Sequence, residues 1–281
     1  MSVTGMRAVI TATVTGVLVI SVVGLAQWPQ GRGGDRSPPD RSEYPSWEND
    51  REFKDDVFTF ARIRFDSVGG YGRRGGGNRW QNDYPDSDLN FSYRLQQLTS
   101  IKVDPNGKVL RLTDPELFEY PFIYMNGVGG LHLHPDEVTA LRHYLHNGGF
   151  LMIDDFWGDR EWEVVSEQLA LAVPRWAPRP LPLSHPIFHV VYDLKQKPQV
   201  PGIRHWRSGQ TFEDHGPGSG DGPDFQGLFD NNGRLAVLMC HNNDLGDGWE
   251  REGEDEEYFH NYSEKWSYPM GINIVFYAMT H

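Results

Sequence analysis

A single cysteine, Cys240, rules out an intrachain disulfide and any zinc site built from several thiolates. Positive charge is scarce as well. Lysine and arginine number 26 against 39 aspartates and glutamates, a formal charge of −13. So acidic a chain is poorly suited to nucleic acid, where affinity comes from neutralising phosphates, and to anionic membrane surfaces. No internal repeat is found. The stretch 69–80, GGYGRRGGGNRW, follows a predicted strand as a phosphate-binding loop would. However, no helix opens directly after it and no Gly-Lys-Ser/Thr follows. It reads as a loop at the sheet edge.

Apolar and aromatic material is plentiful: 38% of the residues are apolar, with 15 Phe, 12 Tyr and 9 Trp, enough for a substantial core. The 31 glycines and 19 prolines imply many loops. Residues 1–26 read as a signal peptide or an N-terminal membrane anchor. Arg7 precedes an uncharged, mostly apolar run, 8–26, that ends Gly24-Leu25-Ala26. Either fate places the bulk of the chain outside the cytoplasm, periplasmic or extracellular, with a membrane attachment only if the segment is retained. Residues 27–52, rich in Gly, Pro and charge, read as a disordered linker. The folded domain is expected over 53–281.

The domain is organised around residues 121–155. A short apolar run at 122–125 stops at Asn126-Gly127. Pro135, Asp136 and Glu137 open a helix. Val138, Leu141 and Leu145 form its buried stripe, His143 and His146 occupy its last turn, and Gly148-Gly149 ends it. Residues 150–153 are apolar throughout, as in a strand covered on both faces. Strand, helix and strand of this size make a parallel crossover, and ligand sites in such sheets lie at the strands' carboxyl ends. Those ends carry 126–134 and Asp154-Asp155-Phe156-Trp157-Gly158.

Elsewhere, alternation over 57–65 predicts a first strand, and Asp88 is expected to cap a helix reaching Leu98. Strands at 101–103 and 109–112 flank the Pro105-Asn106-Gly107 turn, and Asp114-Pro115-Glu116 starts a short helix. A helix is expected over 161–171, a proline-rich extended stretch over 174–186, a surface excursion over 195–224 and a strand over 234–239. Residues 244–257, with eight acids against one arginine, read as a solvated loop. Residues 269–279 form a last helix that docks on the sheet.

Several motifs recur together in one order: Trp80, Asp83-Tyr84-Pro85 and Asp88; Asp114-Pro115-Glu116-Leu117-Phe118; Tyr120-Pro121-Phe122; Gly148-Gly149-Phe150-Leu151 with Asp154-Asp155-Phe156; Gly233-Arg234-Leu235-Ala236; and Gly271-Ile272-Asn273. This set resembles the family known as domain of unknown function 4159, over roughly 55–280. The resemblance implies an α/β three-layer sandwich with a mainly parallel sheet, class I glutamine amidotransferase-like and flavodoxin-like, in exported bacterial envelope proteins. In that fold a nucleophilic cysteine sits on the strand-to-helix elbow. The equivalent turn here falls at Asp154 or Asp155, so glutaminase chemistry is not expected.

Adjacent carboxylates at a strand end, Asp154 and Asp155, can hold a hard cation or act as acid and base. Capping and solvation are the plainer fate. Asn126, Trp157, His241 and Asp244 are expected near them at the same rim as ligand-binding residues. His132 and His134, two apart, would point the same way in an extended chain and suit Zn²⁺ or Fe alongside the aspartates. His185 and His189, four apart, are a weaker pair. Trp80, Trp157, Trp206, Trp249 and Trp266 suit carbohydrate stacking if exposed and the core if buried. Two functions follow as expectations. One is a non-catalytic envelope domain that binds a small molecule, a carbohydrate or a protein partner. The other is a hydrolase assisted by a divalent metal at Asp154-Asp155. A structural subunit of a membrane complex would require the anchor.

Overall fold

A computed structural model of the chain describes residues 44–50, 56–68 and 79–281. The segment expected to direct export, most of the expected linker and the glycine-rich stretch 69–78 lie outside the described residues. Among the described residues no helix is long and apolar enough to cross a membrane.

In chain order the elements are β1 (Ala61–Ile63), β2 (Asp66–Ser67), α1 (Asp86–Leu98), β3 (Lys108–Leu110), β4 (Phe122–Asn126), β5 (Leu131–His132), α2 (Pro135–His146), β6 (Phe150–Phe156), α3 (Gly158–Ala172) and β7 (Arg179–Pro180). Then come α4 (Ile203–Arg207), β8 (Asp224–Phe229), β9 (Leu235–His241), α5 (Leu245–Glu250), α6 (Glu256–Tyr258), a π-helical stretch Phe259–Ser267, and α7 (Tyr268–Thr280). Seven strands form one sheet in the order β3-β1-β4-β6-β9-β8-β7. The first five are parallel, and β8 and β7 close one edge antiparallel. The protein is therefore α/β with a mostly parallel central sheet.

Alternation along the central strands feeds two cores. Phe122 and Tyr124 of β4, with Phe150 and Met152 of β6, pack with Phe91 of α1, Trp249 of α5 and Ile272 of α7. Ile123, Met125, Leu151 and Ile153 face the other way, onto Leu141 and Leu145 of α2 and Val165 and Leu169 of α3. Both faces are covered, so the strands can be apolar at every position. The central unit matches its sequence reading: β4 and β6 pair in parallel around α2.

Four expectations need correction. Asp88 does not cap α1; the helix starts at Asp86, and Asp88 is inside, paired with Arg62. The strands expected at 101–103 and 109–112 are a lone bridge at Val103 and the three-residue β3, which do not pair with each other. Val103 bridges Phe58 in parallel and β3 runs parallel to β1, so both continue one sheet edge. The excursion 195–224 is not only surface, because Val200, Ile203, Glu213 and Ser219 are buried. The acidic stretch 244–257 is not a solvated loop throughout. Its first part is α5, with Asp244, Leu245, Gly246, Asp247, Gly248 and Trp249 all buried.

At the end of the expected linker, residues 44–50 lie against the fold. Trp47 packs on the core, and Trp47 Nε1 and Asn49 Nδ2 both donate to Val103 O at 2.8 Å.

Candidate functional site

The carboxyl ends of β4, β6 and β9 converge on a buried group of acids. β6 delivers Asp154 and Asp155. At Asp155 the backbone turns into the left-handed region, φ 52°, and breaks the register between β6 and β9. Asp83 (φ 60°) and Asn242 (φ 56°) share that conformation. Among the described non-glycine residues these three alone have positive φ, and all sit at this site. Asp and Asn tolerate left-handed backbone better than other L-residues, and strain of this kind gathers where a structure holds side chains for use.

The acids come from several elements, β6 and α5 each giving more than one. Asn82 Nδ2 donates to Asp155 Oδ2 at 2.7 Å, and Trp157 Nε1 donates to Asp155 Oδ1 at 3.2 Å. Gly246 N donates to Asp154 Oδ2 at 2.9 Å and the Tyr124 hydroxyl donates to the same oxygen at 3.1 Å. Asn126 Nδ2 donates to Asp83 Oδ2 at 2.9 Å. Asp244 accepts from Asp247 N at the start of α5, and Asp247 Oδ2 accepts from Ile203 N. The excursion contributes Glu213, whose Oε1 accepts from Gly202 N at 2.7 Å. It also contributes His215, which donates through Nδ1 to Glu161 Oε1 at 3.2 Å and lies 3.4 Å from Glu213 Oε2 through Nε2.

Among the described residues two groups of three have ligand atoms within 4.8 Å of one another: Asp155, Glu213 and Asp244, all buried, and Asp83, Asp247 and Glu250, of which Glu250 is half-buried. Among the described residues Arg79, His205, His215 and Arg251 pair with these acids and Arg62, itself bound to Asp88, acts on Asp83; they are fewer than the acids themselves. Ionised carboxylates away from water take up protons or cations. Accordingly burial, with Glu213 and Glu161 nearby, pushes Asp155 up to about 8. Burial pushes Asp154 and Glu250 each to about 7. Asp83 and Asp244 are raised well above the usual range by burial and by neighbouring carboxylates. For His215 burial acts downward, but hydrogen bonds to Glu161 and Glu213 prevail and raise it to about 10. Glu161 is held low, because His215 outweighs its burial.

Packing here is close. A Cβ on Gly246 would stand 2.5 Å from Asn126 Nδ2, 2.6 Å from Asp83 Oδ2 and 2.8 Å from the Tyr124 hydroxyl. Gly246→Ala is therefore expected to cost about 1–3 kcal/mol through overpacking, seen as a lower urea midpoint. An unchanged midpoint would show that the site is looser than these distances say.

The family assignment rests on a match over nearly the whole folded part. A family model described as "Domain of unknown function (DUF4159)" matches residues 59–279. The chain belongs to that family. The matched span of the DUF4159 domain includes every acid named above. No curated protein matches the chain.

Of the residues singled out from sequence, Asp154, Asp155, Asn126, Trp157 and Asp244 are brought together. His241 is not part of the group: its ring packs on Phe156 and Trp162, and Nε2 lies 3.1 Å from Gly158 O. His132 and His134 meet edge to face, and His134, half-exposed, pairs with Asp66 at 3.1 Å; neither belongs to either acid group. The pairing of Asp154 and Asp155 with these histidines is thus not what the fold assembles. His185 and His189 flank a short 3-10 turn, where His189 binds Asp193 and Leu183 O. Trp157 and Trp249 are buried, so neither offers a stacking face. Sequence reading missed Asp83, Glu161, Glu213, His215, Asp247 and Glu250. Only Asp83 carried a signal, as part of Asp83-Tyr84-Pro85.

Proposed function

We propose that the protein is an exported domain of the bacterial envelope, amidotransferase-like in fold and non-catalytic, that binds a hard divalent cation at its strand-end carboxylates. The observation that carries this reading is the buried triad Asp155, Glu213 and Asp244. Three oxygen ligands without thiolate or imidazole suit Ca²⁺, Mg²⁺ or Mn²⁺ rather than Zn²⁺. The triad joins β6, the excursion and the start of α5, so a cation there would tie three distant segments together. The amidotransferase analogy expects the nucleophile at Asp154 or Asp155, and the left-handed irregularity at Asp155 near the end of β6 supports that analogy, with a carboxylate in place of a thiol. Cys240 lies buried within β9, its thiol pushed up by burial. The apolar run 8–26 supports export. A protein partner or a carbohydrate would then meet the cation-ordered surface rather than the acids themselves.

A second reading, metal-assisted hydrolysis at Asp154-Asp155, is favoured by carboxyls titrating at about 7 and about 8, near the optimum for proton transfer. Burial of the triad weighs against it, since Asp155, Glu213 and Asp244 are 5%, 8% and 3% exposed. The test is uptake of Ca²⁺, Mg²⁺ and Mn²⁺ by the purified, chelator-treated chain, read by elemental analysis beside Asp155→Asn/Glu213→Gln. Uptake in the wild type that falls in the variant supports the reading. A wild type that binds none of the three overturns it.

A further inference from the structure

We infer that Asn242 and Asn243, at the end of β9, latch the 198–222 excursion down over the buried triad and so set how fast a cation enters and leaves. This rests on the reading of Asp155, Glu213 and Asp244 as a cation site. All three are buried, so an ion reaches them only when a covering segment moves. Of the segments that supply them, the excursion is the least tied to the body. Asp155 belongs to β6 and Asp244 directly precedes α5. The backbone of 204–214, by contrast, makes hydrogen bonds only within the excursion, among the described residues.

The two asparagines fasten both flanks of that stretch. Asn243 Nδ2 donates to Pro198 O at 2.8 Å, and its Oδ1 accepts from Val200 N at 2.9 Å. Asn242 Nδ2 donates to Gly218 O at 2.9 Å and to Gly222 O at 3.2 Å. Its Oδ1 accepts from Gly158 N, at the start of α3, at 2.9 Å. Both amides are fully used and almost wholly buried, where each such bond is costly to lose. Asn242 is also one of the three left-handed residues of the site, a conformation kept where the side chain is needed. The main chain beside the pair reaches two of the ligands: Asp155 N donates to Asn243 O at 3.1 Å, and Asp244 N donates to Val200 O at 2.9 Å. The asparagine side chains themselves hydrogen-bond to none of the triad. They are positioning residues, acting through the segment that carries Glu213.

A loosened latch favours the open excursion equally with and without the ion. Entry and exit then quicken together and affinity hardly moves.

The test compares wild type, Asn242→Gly and Asn242→Asp in the chelator-treated full chain. Glycine keeps the left-handed backbone and removes every side-chain bond. Aspartate keeps the acceptor for Gly158 N and removes both donations to the excursion, and it supplies the reading should the glycine variant not fold. Tyr144→Phe, which deletes a buried hydroxyl bonded to Tyr120 O and Phe150 O, is the control for stability lost elsewhere. Near-ultraviolet circular dichroism confirms folding. Amide hydrogen exchange over 202–217 reads the latch. Stopped-flow uptake and chelator-driven release of Ca²⁺, Mg²⁺ and Mn²⁺, followed by tryptophan fluorescence, read the gate. Both Asn242 variants are expected to exchange this stretch about tenfold faster, with α2 unchanged. Their uptake and release rates should rise together by about tenfold, with Kd within about threefold of wild type. Tyr144→Phe should alter neither the exchange of this stretch nor the rates. Wild-type exchange over 202–217 in both variants overturns the latch. Faster exchange with unchanged rates, or a weakened Kd with unchanged uptake, overturns the gate and leaves the cation site standing. A wild type that takes up none of the three ions overturns the cation reading and the gate with it, and the exchange comparison alone then decides the latch.

Discussion

Replacing Arg62 with methionine is expected to destabilise the protein by about 3–5 kcal/mol, the usual result of removing one partner of a buried ion pair. Arg62 lies in the middle of β1 with no exposure, and its partner Asp88 is 4% exposed. The pairing is bidentate: Nε lies 2.9 Å from Oδ2 and Nη2 2.6 Å from Oδ1. The guanidinium also donates to Trp80 O, Asn82 O and Ser87 Oγ, and it lies over the Tyr124 ring. The variant therefore strands a buried carboxylate and releases the loop that carries Asn82 and Asp83. Cation uptake should fall along with stability, although Arg62 touches no proposed ligand. Arg62→Met/Asp88→Leu should recover much of the loss in stability, since no lone charge remains inside. Urea unfolding of the two variants measures both effects. A single variant within about 1 kcal/mol of wild type, or a double variant no better than the single, would show that the pair does not hold the loop.

The sequence disclosed the fold wherever local chemistry marks an element. Pro135, the stripe Val138, Leu141 and Leu145, and Gly148-Gly149 bound α2 closely, because caps and helical periodicity are encoded within a few residues. The strand-end rule then placed Asp154, Asp155, Asn126 and Asp244 at one rim, where the structure has them. What could not be read is whatever depends on long-range closure. Glu213 and His215 sit in a Gly/Pro-rich stretch whose composition says loop. Long-range hydrogen bonds, among them Asn242 Nδ2 to Gly218 O and Asn243 Nδ2 to Pro198 O, bring that stretch over the strand ends. The error at 244–257 has a definite cause. Eight acids imply solvent by composition, yet Leu245 and Trp249 are four apart and turn α5 inward. Trp249 packs on Phe91 with ring centroids 4.5 Å apart. That packing drags Asp244 and Asp247 into the interior. The acids that follow, from Glu252 to Glu257, do stay exposed or half-exposed.

Freed of cations, the protein should be most stable in mild acid and lose stability steadily as the solution becomes alkaline, against the habit of most proteins. The sign follows from which state holds protons more tightly. Asp155 titrates at about 8 in the folded chain, far above the ordinary 3.8, and Asp154 at about 7. Their contribution is complete below the unfolded value and disappears as pH rises through the folded one, that is, between about pH 4 and pH 8. His215 acts in the same direction at higher pH. Raised from 6.5 to about 10 by its carboxylate partners, though burial works against it, it contributes fully below the first value and is lost on the way to the second. Glu161, held below its ordinary 4.5, opposes this only at the acid end, where its contribution disappears as pH falls. A divalent cation should cancel the decline, because it takes the place of the protons and binds best when the carboxyls are ionised. Thermal unfolding across about pH 5 to 9, with chelator and with Ca²⁺, separates the curves. With chelator the midpoint should fall by many degrees over that range, and with Ca²⁺ it should hold or rise. A chelated protein whose stability stays flat or climbs between about pH 5 and 8 would mean that these acids are not kept protonated by burial. The case for a cation at the strand ends would then lose its physical basis.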